Sequence, residues 1–527
     1  MKKIFLTLIV SIALFGTVFA QEPESHWSDF YSPTYEQHGA LVAAVAIDNN
    51  MIVFDNPADY YYDELGGYYV NYDYEVAAFV NNVCRGHGFL CYYEGDDYFT
   101  TNGMGVYYDN TTSDVGREVS FKLYDHVNEI EYDVCTSSET IVTAQDYWDY
   151  WDDVVILYFS TPTFPVNITG YGTGSGDWYL IASPLASAVN PVDVDNMVSN
   201  NFDLYRFNQS ADKEWENWKF ADNYHYDLEP GTGYLYANSG DVTLTFKGKP
   251  YSGDGQFELK RDNGAKLPGW NLIGNPYPEA ATISRDFYVM NDSRTEVTVS
   301  ERTSIAPMEG VFVYAANENE TVTFNRSRAD VDDGKIVVNL CGEKDGVLDR
   351  VMVRFGENPM LPKYKMHDGS TTLSVAKQGK EYAVVNCQNE NIVPVSFKAG
   401  QMASYTLKVR VDRVDVSYLH LIDNITGADV DMLAGGTYTF VGAPNDRNDR
   451  FALRLGYNAV EDDMFAYQSG NDVVVNGKGT LQVFDLVGRF VASYDVNGVQ
   501  MVRMPSQGVY ILRLVGDETK TQKIVVR

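Results

Sequence analysis

Short segments in which apolar and polar residues alternate recur along most of the chain, and clusters of glycine, asparagine and aspartate separate them. Residues 119–124 alternate closely, while residues 43–47 and 76–80 are continuous apolar runs. Alternation with a period of two is typical of a half-buried β-strand, and a short apolar run between turns is typical of a fully buried one. Beyond the first twenty residues, no long segment keeps helical periodicity. The pattern therefore predicts an all-β protein.

The spacing of these segments predicts several β domains in tandem. A length of 527 residues suits three or four domains of ordinary size. Turn residues recur at the intervals expected of β-sandwiches with an immunoglobulin-like arrangement. Residues 21–35 lack such a pattern and predict an unstructured leader. We expect an N-terminal β-sandwich at residues 21–170, a duplicated central β region at 171–330, a further β-sandwich at 331–457 and an immunoglobulin-like C-terminal domain at 458–527.

The central region contains an internal repeat. The phrase Trp178-Tyr-Leu-Ile-Ala-Ser-Pro184 recurs as Trp270-Asn-Leu-Ile-Gly-Asn-Pro276. Downstream, the turn Pro230-Gly-Thr-Gly233 of the first copy corresponds to Pro307-Met-Glu-Gly310 of the second. Self-similarity of this kind indicates a structural unit that is used twice. We therefore expect the two copies to pack against each other as a pseudo-symmetric β unit.

The first twenty residues have the features of a secretory signal peptide. Lys2 and Lys3 form a positive start, residues 4–15 are apolar, and Val18-Phe19-Ala20 provides small residues for cleavage. The apolar stretch is too short to span a membrane, and no later run approaches the roughly 20 apolar residues of a transmembrane helix. We expect an exported protein without a transmembrane segment.

The chain is strongly acidic, with a formal charge of −33. Removal of Lys2 and Lys3 with the signal peptide takes this charge from −33 to −35. Such a charge disfavours nucleic acid and anionic membrane surfaces as partners. No cofactor is expected. Structural calcium is an alternative to solvated acidic turns at Asp193-Val-Asp195-Asn196 and Asp330-Val-Asp332-Asp333, because calcium binds clustered oxygens.

Five cysteines are too few for a disulfide scaffold in a chain of this length. Cys-x-x-Cys does not occur, which disfavours zinc. Cys84 and Cys91 are interpreted either as a disulfide or as buried thiols. Cys341 and Cys387 are further candidates for disulfide bonds, and the connectivity is left open.

The motifs of common hydrolases do not occur in the sequence. It contains no Gly-x-Ser-x-Gly elbow and no His-Glu-x-x-His pair. The stretch Gly172-Thr-Gly-Ser-Gly176 is interpreted as a linker. A Cys/His pair formed by His87 with Cys84 or Cys91 remains an alternative. Paired carboxylates carry no specificity among 73 acidic residues. We therefore expect a non-catalytic protein.

Clusters of aromatic residues beside carboxylates are the candidate ligand-binding sites. Rings stacked next to carboxylates are typical of sugar-binding faces, although packing between sheets explains the same composition. The first cluster contains Tyr147, Trp148, Tyr150 and Trp151, and the second contains Trp215 and Trp218; these six are the candidate ligand-binding residues. A third cluster, Tyr60-Tyr-Tyr-Asp63 with Tyr68-Tyr69, has the same composition.

The C-terminal tail carries the most specific pattern. It reads Leu481-Gln-Val-Phe-Asp485-Leu-Val-Gly488-Arg489, then Pro505-Ser-Gln-Gly508-Val-Tyr510-Ile-Leu-Arg513, and then Lys523-Ile-Val-Val-Arg527. These phrases predict short strands joined by tight turns. Their order closely resembles the type A C-terminal sorting domain of type IX secretion cargo. The resemblance assigns the sorting motif to Leu481, Val483, Asp485, Gly488, Arg489, Gly508, Tyr510 and Lys523.

Weaker resemblances lie upstream of the tail. Residues 77–86 and 118–125 are similar to an accessory β-sandwich of type IX cargo. Residues 421–427 and 448–451 resemble the β-sandwich that often precedes the sorting tail. Neither module has an assigned chemistry.

The resemblance to type IX cargo implies a route of export. The signal peptide would direct the chain to the periplasm, and the outer-membrane translocon would recognise residues 458–527. Cleavage is expected within residues 458–470, after which the body would be attached to surface lipopolysaccharide or released. We expect residues 21–457 to form an adhesin or a structural component of the cell surface. Two alternatives remain, a carbohydrate-binding protein and a secreted hydrolase with an unrecognised site.

Overall fold

The computed structural model describes most of the chain. The predicted signal peptide, the acidic stretch 330–333 and most of the predicted cleavage stretch 458–470 lie outside the described residues. Described are residues 24–27, 36–108, 113–144, 146–172, 177–220, 225–326, 334–343, 346–356, 359–387, 390–433, 436–457, 465–469, 472–516 and 519–526.

The protein is all-β, as the alternating pattern predicts, and its strands form multiple sheets. Apart from the strands, the described residues contain two short 3-10 helices, Pro57–Asp59 and Pro191–Asp193, and no α-helix. No helix in this part of the chain is long and apolar enough to span a membrane. The residues form two compact units: one within residues 1–165, 185–187 and 245–251, and one within the remaining residues.

The first unit contains two five-stranded sheets. One sheet has the order β2-β1-β10-β9 with β6 beside β1, and the other has the order β3-β4-β7-β8 with β5 beside β4. The strands are β1 Glu36–Ile47, β2 Asn50–Met51, β3 Tyr61–Asp63, β4 Tyr68–Val80, β5 Val83–Tyr93, β6 Met104–Tyr108, β7 Ser120–Asp125, β8 Ile130–Tyr132, β9 Cys135–Ser137 and β10 Trp148–Phe159.

Both sheets contribute side chains to one core. Val45 and Leu157 come from the first sheet, and Val76, Ala78 and Leu123 come from the second. Because successive side chains of a strand point to opposite faces, the alternate residues of β4 lie on the outer face of the second sheet. These residues include Glu75.

The duplicated region forms two four-stranded sheets of the same topology. The first has the order β12-β15-β13-β14, and the second has the corresponding order β18-β23-β20-β21. The strands of the first sheet are β12 Tyr179–Ala182, β13 Phe202–Phe207, β14 Trp215–Asn217 and β15 Gly233–Asn238, and those of the second are β18 Trp270–Gly274, β20 Tyr288–Met290, β21 Val297–Val299 and β23 Gly310–Tyr314. Three further two-stranded sheets pair β11 Thr163–Ile168 with β16 Val242–Lys247, β17 Gln256–Glu258 with β24 Thr321–Thr323, and β19 Ala281–Thr282 with β22 Ser304–Ile305.

The two copies make reciprocal contacts. The strand of the first copy forms a bridge from Ile181 to Glu309 in the turn of the second copy. In return, Thr232 in the turn of the first copy forms a bridge to Ile273 of the second. Each Pro-x-x-Gly turn of the repeat therefore pairs with the Trp-containing strand of the other copy.

Glycines allow this close approach of the two copies. A Cβ atom on Gly274 would lie 2.3 Å from the Cβ of Ala182 and 2.6 Å from the carbonyl oxygen of Thr232. A Cβ atom on Gly233 would lie 2.5 Å from the carbonyl oxygen of Ile273. Glycine is therefore required at positions 233 and 274, where the backbones of the two copies meet.

Residues 335–457 form one continuous sheet of eleven strands. Its order is β33-β32-β35-β30-β28-β29-β26-β25-β31-β34, with β27 beside β29. The strands are β25 Lys335–Cys341, β26 Val347–Arg354, β27 Leu361–Pro362, β28 Thr372–Lys377, β29 Lys380–Asn386, β30 Ile392–Lys398, β31 Ala403–Asp412, β32 Val416–Asp423, β33 Asp429–Asp431, β34 Thr437–Gly442 and β35 Phe451–Tyr457.

This sheet curves until its two ends approach each other. The ring of Phe440 on β34, at one end of the strand order, lies 4.9 Å from that of Phe451 on β35, near the other end. Between them, Arg450 pairs with Asp423 at 3.0 Å and with Asp446 at 2.9 Å. One core therefore fills the space inside a single curved sheet.

The duplicated region and the curved sheet share a second core. Trp270 and Phe312 of the second copy pack in one cluster with Met352, Tyr364 and Val384 of the curved sheet region. The boundary predicted at residue 330 therefore falls between two parts of the chain that are packed together.

The tail forms a separate five-stranded sheet with its own core. Leu481, Val483, Leu512 and Ile524 are among its buried residues. Its order is β36-β37-β39-β40 with β38 beside β37, and the strands are β36 Ala466–Ser469, β37 Asp472–Asp485, β38 Phe490–Arg503, β39 Gly508–Val515 and β40 Thr519–Val526.

Candidate functional site

The first predicted aromatic cluster lies at the start of β10, and its Trp148 is half-buried and packs against the core. The indole Nε1 of Trp148 donates to the hydroxyl of Tyr108 at 2.9 Å, and Tyr108 is fully buried. Gly39 faces the same indole, and a Cβ atom there would lie 2.2 Å from the ring. Trp148 therefore fills a space that the glycine leaves open, instead of forming an exposed platform.

The other residues of this cluster do not form a shared flat surface with Trp148. Tyr150 packs against the core, and its ring stands at 73° to that of Trp148. Tyr147 is 53% exposed. The backbone of Trp151 belongs to β10, but its side chain lies outside the described residues.

The second predicted cluster also packs against neighbouring side chains. Trp218 is buried, and its indole donates to the carbonyl oxygen of Tyr226 at 3.0 Å. Trp215 packs with its ring edge-on to Phe207 and Phe312. For both tryptophans, the geometry favours the packing interpretation over ligand binding.

The third cluster is more exposed. Tyr61 and Tyr62 are 37% and 47% exposed, and Tyr93, which lies opposite Tyr68 on the neighbouring strand, is 36% exposed. Tyr62 lies opposite Tyr69 on the neighbouring strand, and their rings are 4.9 Å apart. Tyr61 and Tyr62 lie on the edge strand β3 and point to opposite faces of the sheet, while Tyr93 on β5 lies on the same face as Tyr61.

A line of rings continues from this edge across the outer face of the same sheet. Tyr61 contacts Tyr72, Tyr72 contacts Phe89, and Phe89 contacts His126, at centroid distances of 5.8, 5.1 and 5.5 Å. His126 then contacts Tyr124 at 4.8 Å. The line ends beside Glu75, which accepts from His126.

Glu75 is the centre of a cluster that the sequence does not predict. Its carboxylate is fully buried although β4 presents it on the outer face of the sheet. His87 Nδ1 donates to Oε1 at 2.7 Å, and His126 Nε2 donates to Oε2 at 3.2 Å. Ser25 donates its hydroxyl to Oε1, and the backbone amide of His26 donates to Oε2 at 2.9 Å. Four donors therefore surround one carboxylate.

The N-terminal residues 24–27 cover this carboxylate. The His26 imidazole stacks on Tyr124 at 3.7 Å, with 7° between the ring planes. His26 Nε2 donates to Glu131 Oε2 at 3.0 Å, and Glu131 also accepts from Lys122 at 2.6 Å. These residues belong to the stretch expected to be an unstructured leader, so that expectation is wrong for 24–27.

The hydrogen bonds keep the Glu75 carboxylate ionised. Burial by itself raises the pKa of Glu75, since it disfavours the charged form. Hydrogen bonds from His87, Ser25 and the His26 amide outweigh burial, and the pKa falls below its ordinary value of 4.5. Glu75 is therefore an acceptor at neutral pH and not a general acid.

The cluster contains serine, histidine and glutamate, but its geometry is not that of a catalytic triad. In a triad, the two imidazole nitrogens contact the nucleophile and the carboxylate separately. Here His87 Nδ1 faces both Ser25 Oγ, at 3.3 Å, and Glu75. Because Ser25 donates to Glu75, its hydroxyl is not activated by His87. The arrangement binds a chain segment and does not generate a nucleophile.

The cysteines of this unit are not arranged for catalysis or for the expected disulfide. Cys84 and Cys91 lie on the same strand β5, seven residues apart, which separates them by roughly 20 Å at about 3.3 Å per residue. A disulfide requires α-carbons within about 7 Å. Burial raises the pKa of the Cys91 thiol to about 11 and also raises that of Cys84. The disulfide between them is excluded, and the buried-thiol alternative fits.

Cys341 and Cys387 are also too far apart for a disulfide. Cys341 pairs with Val347 at one end of β26, and the backbone amide of Cys387 donates to Arg354 at the other end. The length of β26 therefore separates two thiols, both of which are buried.

The expected calcium-binding turns differ in what the structure describes. Asp193 belongs to a short 3-10 helix, and the side-chain amide of Asn196 donates to the carbonyl oxygen of Thr243 at 2.9 Å. The stretch 330–333 lies outside the described residues. Within the part of the chain that the structure describes, no group of three or more His, Cys, Asp or Glu side chains is arranged to hold a metal ion.

A cavity of about 430 Å³ lies in the duplicated region. Trp178, Tyr179, Arg294, Arg302 and Glu309 are part of its lining. The Arg294 guanidinium stacks over the Tyr179 ring at 4.2 Å, and Arg302 forms a bidentate ion pair with Glu309. Both guanidinium groups thus have partners within the lining.

Several predicted sorting residues form one hairpin turn in the tail. Asp485 Oδ1 accepts from the backbone amides of Val487 and Arg489, and Oδ2 accepts from the Arg489 side chain at 2.7 Å. Gly488 has a φ of 80°, which favours glycine. Elsewhere, Leu481, Val483 and Tyr510 are buried in the tail core, Gly508 begins β39, and Lys523 is exposed.

Comparisons with known proteins do not assign the chain to a family. No family model matches it, and no curated protein matches it. Among solved structures, the chain was aligned with the Bacillus anthracis TIE protein at 9% identity, over 93% of this chain and 72% of that chain, with a TM-score of 0.10. A TM-score this low carries no argument about fold or function.

Proposed function

We propose that this protein is type IX secretion cargo, secreted or attached to the cell surface after transit through the periplasm. The observation that carries this proposal is the tail, which resembles a type A sorting domain and forms a sheet with its own core. In this proposal the translocon recognises residues 458–527, and cleavage within residues 458–470 removes them. The body is then released or linked to surface lipopolysaccharide.

The body, residues 21–457, acts in this proposal as a non-catalytic adhesin or structural surface component built from several β domains in tandem. Two observations support this role. The strongest cluster of catalytic residue types, around Glu75, is used to hold a chain segment. Of the tryptophans of the predicted clusters that the structure describes, Trp218 is buried, and Trp148 and Trp215 are half-buried and packed against neighbouring side chains.

The export proposal can be tested in a bacterium that has a type IX system. We expect the full chain at the surface of the wild-type strain, and in the periplasm of a strain that lacks the translocon. Deletion of residues 465–527 should also leave the body in the periplasm. Surface labelling and cell fractionation measure the distribution, and export of the shortened chain in the wild-type strain would contradict the proposal.

Substitutions at two exposed residues of the motif test whether the translocon recognises the tail without disturbing the folding of the tail. Arg489 has an 81% exposed side chain, and a surface ion pair contributes at most about 1 kcal/mol. Arg489→Ala and Lys523→Ala should therefore leave the sheet folded while export falls. A matched exposed substitution outside the motif, Lys520→Ala, should leave export unchanged.

Carbohydrate binding is a second candidate, favoured by the exposed tyrosines at the edge of the second sheet. Exposed rings can stack on sugar faces. A glycan array with the full chain, with calcium and again with chelator, tests this function. Binding that is lost in a Tyr61→Ser/Tyr93→Ser variant would support it, since these two tyrosines lie on the same face, and silence under both conditions would exclude it for the glycans on the array.

A further inference from the structure

The outer face of the sheet β3-β4-β7-β8 holds a short peptide segment in a defined way. Glu75 belongs to an outer-facing position of β4 and yet has no exposed surface, because Ser25 and His26 lie over it. A carboxylate that loses its water in this way needs other hydrogen-bond donors. The segment supplies two of the four, one from a side chain and one from the backbone.

Aromatic contacts add to this polar anchor. The His26 ring lies flat on Tyr124, and the Trp27 ring packs edge-on to Phe79 at 6.3 Å. Lys122 lies 5.6 Å above the Phe79 ring and also pairs with Glu131. Each of the three residues from Ser25 to Trp27 therefore contacts its own part of the sheet face.

We propose that this face is a peptide-binding site, occupied here by the chain's own residues 24–27. Its ligand class is a peptide in which a residue with a hydroxyl group is followed by two aromatic residues. The backbone N–H of the first aromatic residue donates to Glu75, as that of His26 does here. The proposal is independent of the export route.

The receptor side of the site is built without the segment. His87 and His126 donate to Glu75 from β5 and from the end of β7, so the carboxylate keeps two partners when the segment leaves. Lys122 holds Glu131 in the same way. The site is therefore preorganised, which lowers the cost of binding a peptide.

Competition with the attached segment sets the affinity that a free peptide needs. Eight residues, 28–35, separate Trp27 from β1 in the sequence. A short linker gives its ligand an effective concentration on the order of millimolar. A free peptide should therefore bind well only after the attached segment has been altered.

The test uses the full chain with Ser25→Gly, His26→Ala and Trp27→Ala together, and the synthetic peptide acetyl-Glu-Ser-His-Trp-amide. We expect saturable binding by ligand-observed NMR with a dissociation constant of about 0.1 mM or tighter, and at least about tenfold weaker binding to the unaltered chain, because the attached segment competes at an effective concentration of about 1 mM. The proposal would be overturned if the scrambled peptide acetyl-His-Trp-Glu-Ser-amide bound equally well, or if acetyl-Glu-Ser-His-Trp-amide did not bind at a concentration of about 5 mM.

Peptide variants test the individual contacts without changing the protein. Replacing serine by alanine in the peptide removes a hydrogen bond to a charged group and should weaken binding about tenfold. On the protein, Glu131→Gln removes the negative charge that faces the imidazole and should weaken binding of the histidine peptide more than that of a peptide with phenylalanine at this position. Equal affinity for the serine and alanine peptides would contradict the assigned role of Glu75.

A second measurement does not depend on the triple variant. In the otherwise unaltered chain, Ser25→Ala should speed hydrogen exchange of the His26 amide about tenfold, because this amide donates to Glu75. If the His26 amide of the unaltered chain already exchanged at the rate of an unprotected amide, residues 24–27 would not be bound to the sheet face.

Discussion

Single charged residues inside the β-sheets fix the path of the chain at several points. Arg450 and Asp423 have side chains that are 3% and 0% exposed, and the Arg450 guanidinium also lies 4.4 Å from the Phe440 ring. Both residues come from the phrases that resemble the β-sandwich preceding type IX sorting tails. The ion pair gives a physical reason for those phrases, because a buried guanidinium requires a carboxylate partner.

We expect Asp423→Asn to destabilise the curved sheet by about 3–5 kcal/mol, since it leaves Arg450 buried without its main partner. Hydrogen exchange of β32 and β35 under increasing urea measures this loss. Asp449→Asn is the matched control, because its ion pair with Arg447 is 66% exposed on both sides. A surface pair contributes at most about 1 kcal/mol, and equal losses in the two variants would contradict the role of burial.

Acid should release residues 24–27 from Glu75. Since the pKa of folded Glu75 lies below its ordinary value of 4.5, the stabilisation is complete above that value and is lost as the pH falls through the folded pKa. With 5-fluorotryptophan, the Trp27 resonance should move to its undocked position with a midpoint below pH 4.5.

The variant Glu75→Gln provides the control for this acid transition. Its Trp27 resonance should be undocked already at neutral pH and should show no acid transition, and Trp27→Phe identifies the signal. An acid transition of the wild-type Trp27 resonance with a midpoint above pH 4.5 would refute the prediction.

The site around Glu75 could not be predicted from single residues. Ser25, His87 and His126 are far apart in the sequence and belong to no known motif spacing. The aromatic clusters could be identified from the sequence, but the solvent exposure of their rings could not. Trp148 packs against the core because Gly39, more than 100 residues away, leaves room for its ring. A weak signal did exist: Glu75 interrupts a largely apolar strand, which often marks a paired charge.

At the scale of elements, the repeat was the most predictable feature. Its tryptophan strand and its Pro-x-x-Gly turn recur in order, and the structure gives both copies the same strand order. The reciprocal bridges between copies could not be predicted, because a strand pattern does not specify which turn approaches its end. The curved sheet was expected as a sandwich for a similar reason: alternation shows which residues are buried, and not whether two sheets are joined.

Gly274→Ala should destabilise the contact between the two copies by about 1–3 kcal/mol, as overpacked sites do. The new methyl group would collide with Ala182 and with the backbone of Thr232. Hydrogen exchange of β12 and β18 should rise together. Gly240→Ala is the control, since its methyl group would meet nothing within 4 Å. If hydrogen exchange were unchanged in both variants, the contact between the two copies would accommodate the methyl group with no loss of stability, and the prediction would be wrong.

At the scale of the whole molecule, a shared core joins the second copy to the curved sheet. Arg354 of the curved sheet forms an ion pair with Asp286 of the second copy at 2.5 Å. Glu296 of the second copy accepts a hydrogen bond from the backbone amide of Met366 at 2.7 Å. Both contacts therefore join residues on either side of the boundary predicted at residue 330. Tyr364 packs between Trp270 and Phe312 at 4.6 Å from each ring. These contacts predict that the two parts unfold together.

Tyr364→Ala should therefore reduce hydrogen-exchange protection in β18, β23, β26 and β29 to a similar extent, by about 3–5 kcal/mol as for large aromatic residues. The tail strands β37 and β39 should keep their protection, because they surround a different core. Loss of protection confined to residues 335–457 would show that the shared core does not couple the two parts.

The reciprocal contacts between the repeat copies have a further consequence. Residues Ile181 and Thr232 of one copy pair with Glu309 and Ile273 of the other, so the same patch is used on both sides. This is the isologous pattern of a two-fold symmetric homodimer. The central region is in effect a dimer whose subunits are joined in one polypeptide. A single copy produced alone would expose a self-complementary surface, and it would satisfy that surface by associating with an identical molecule.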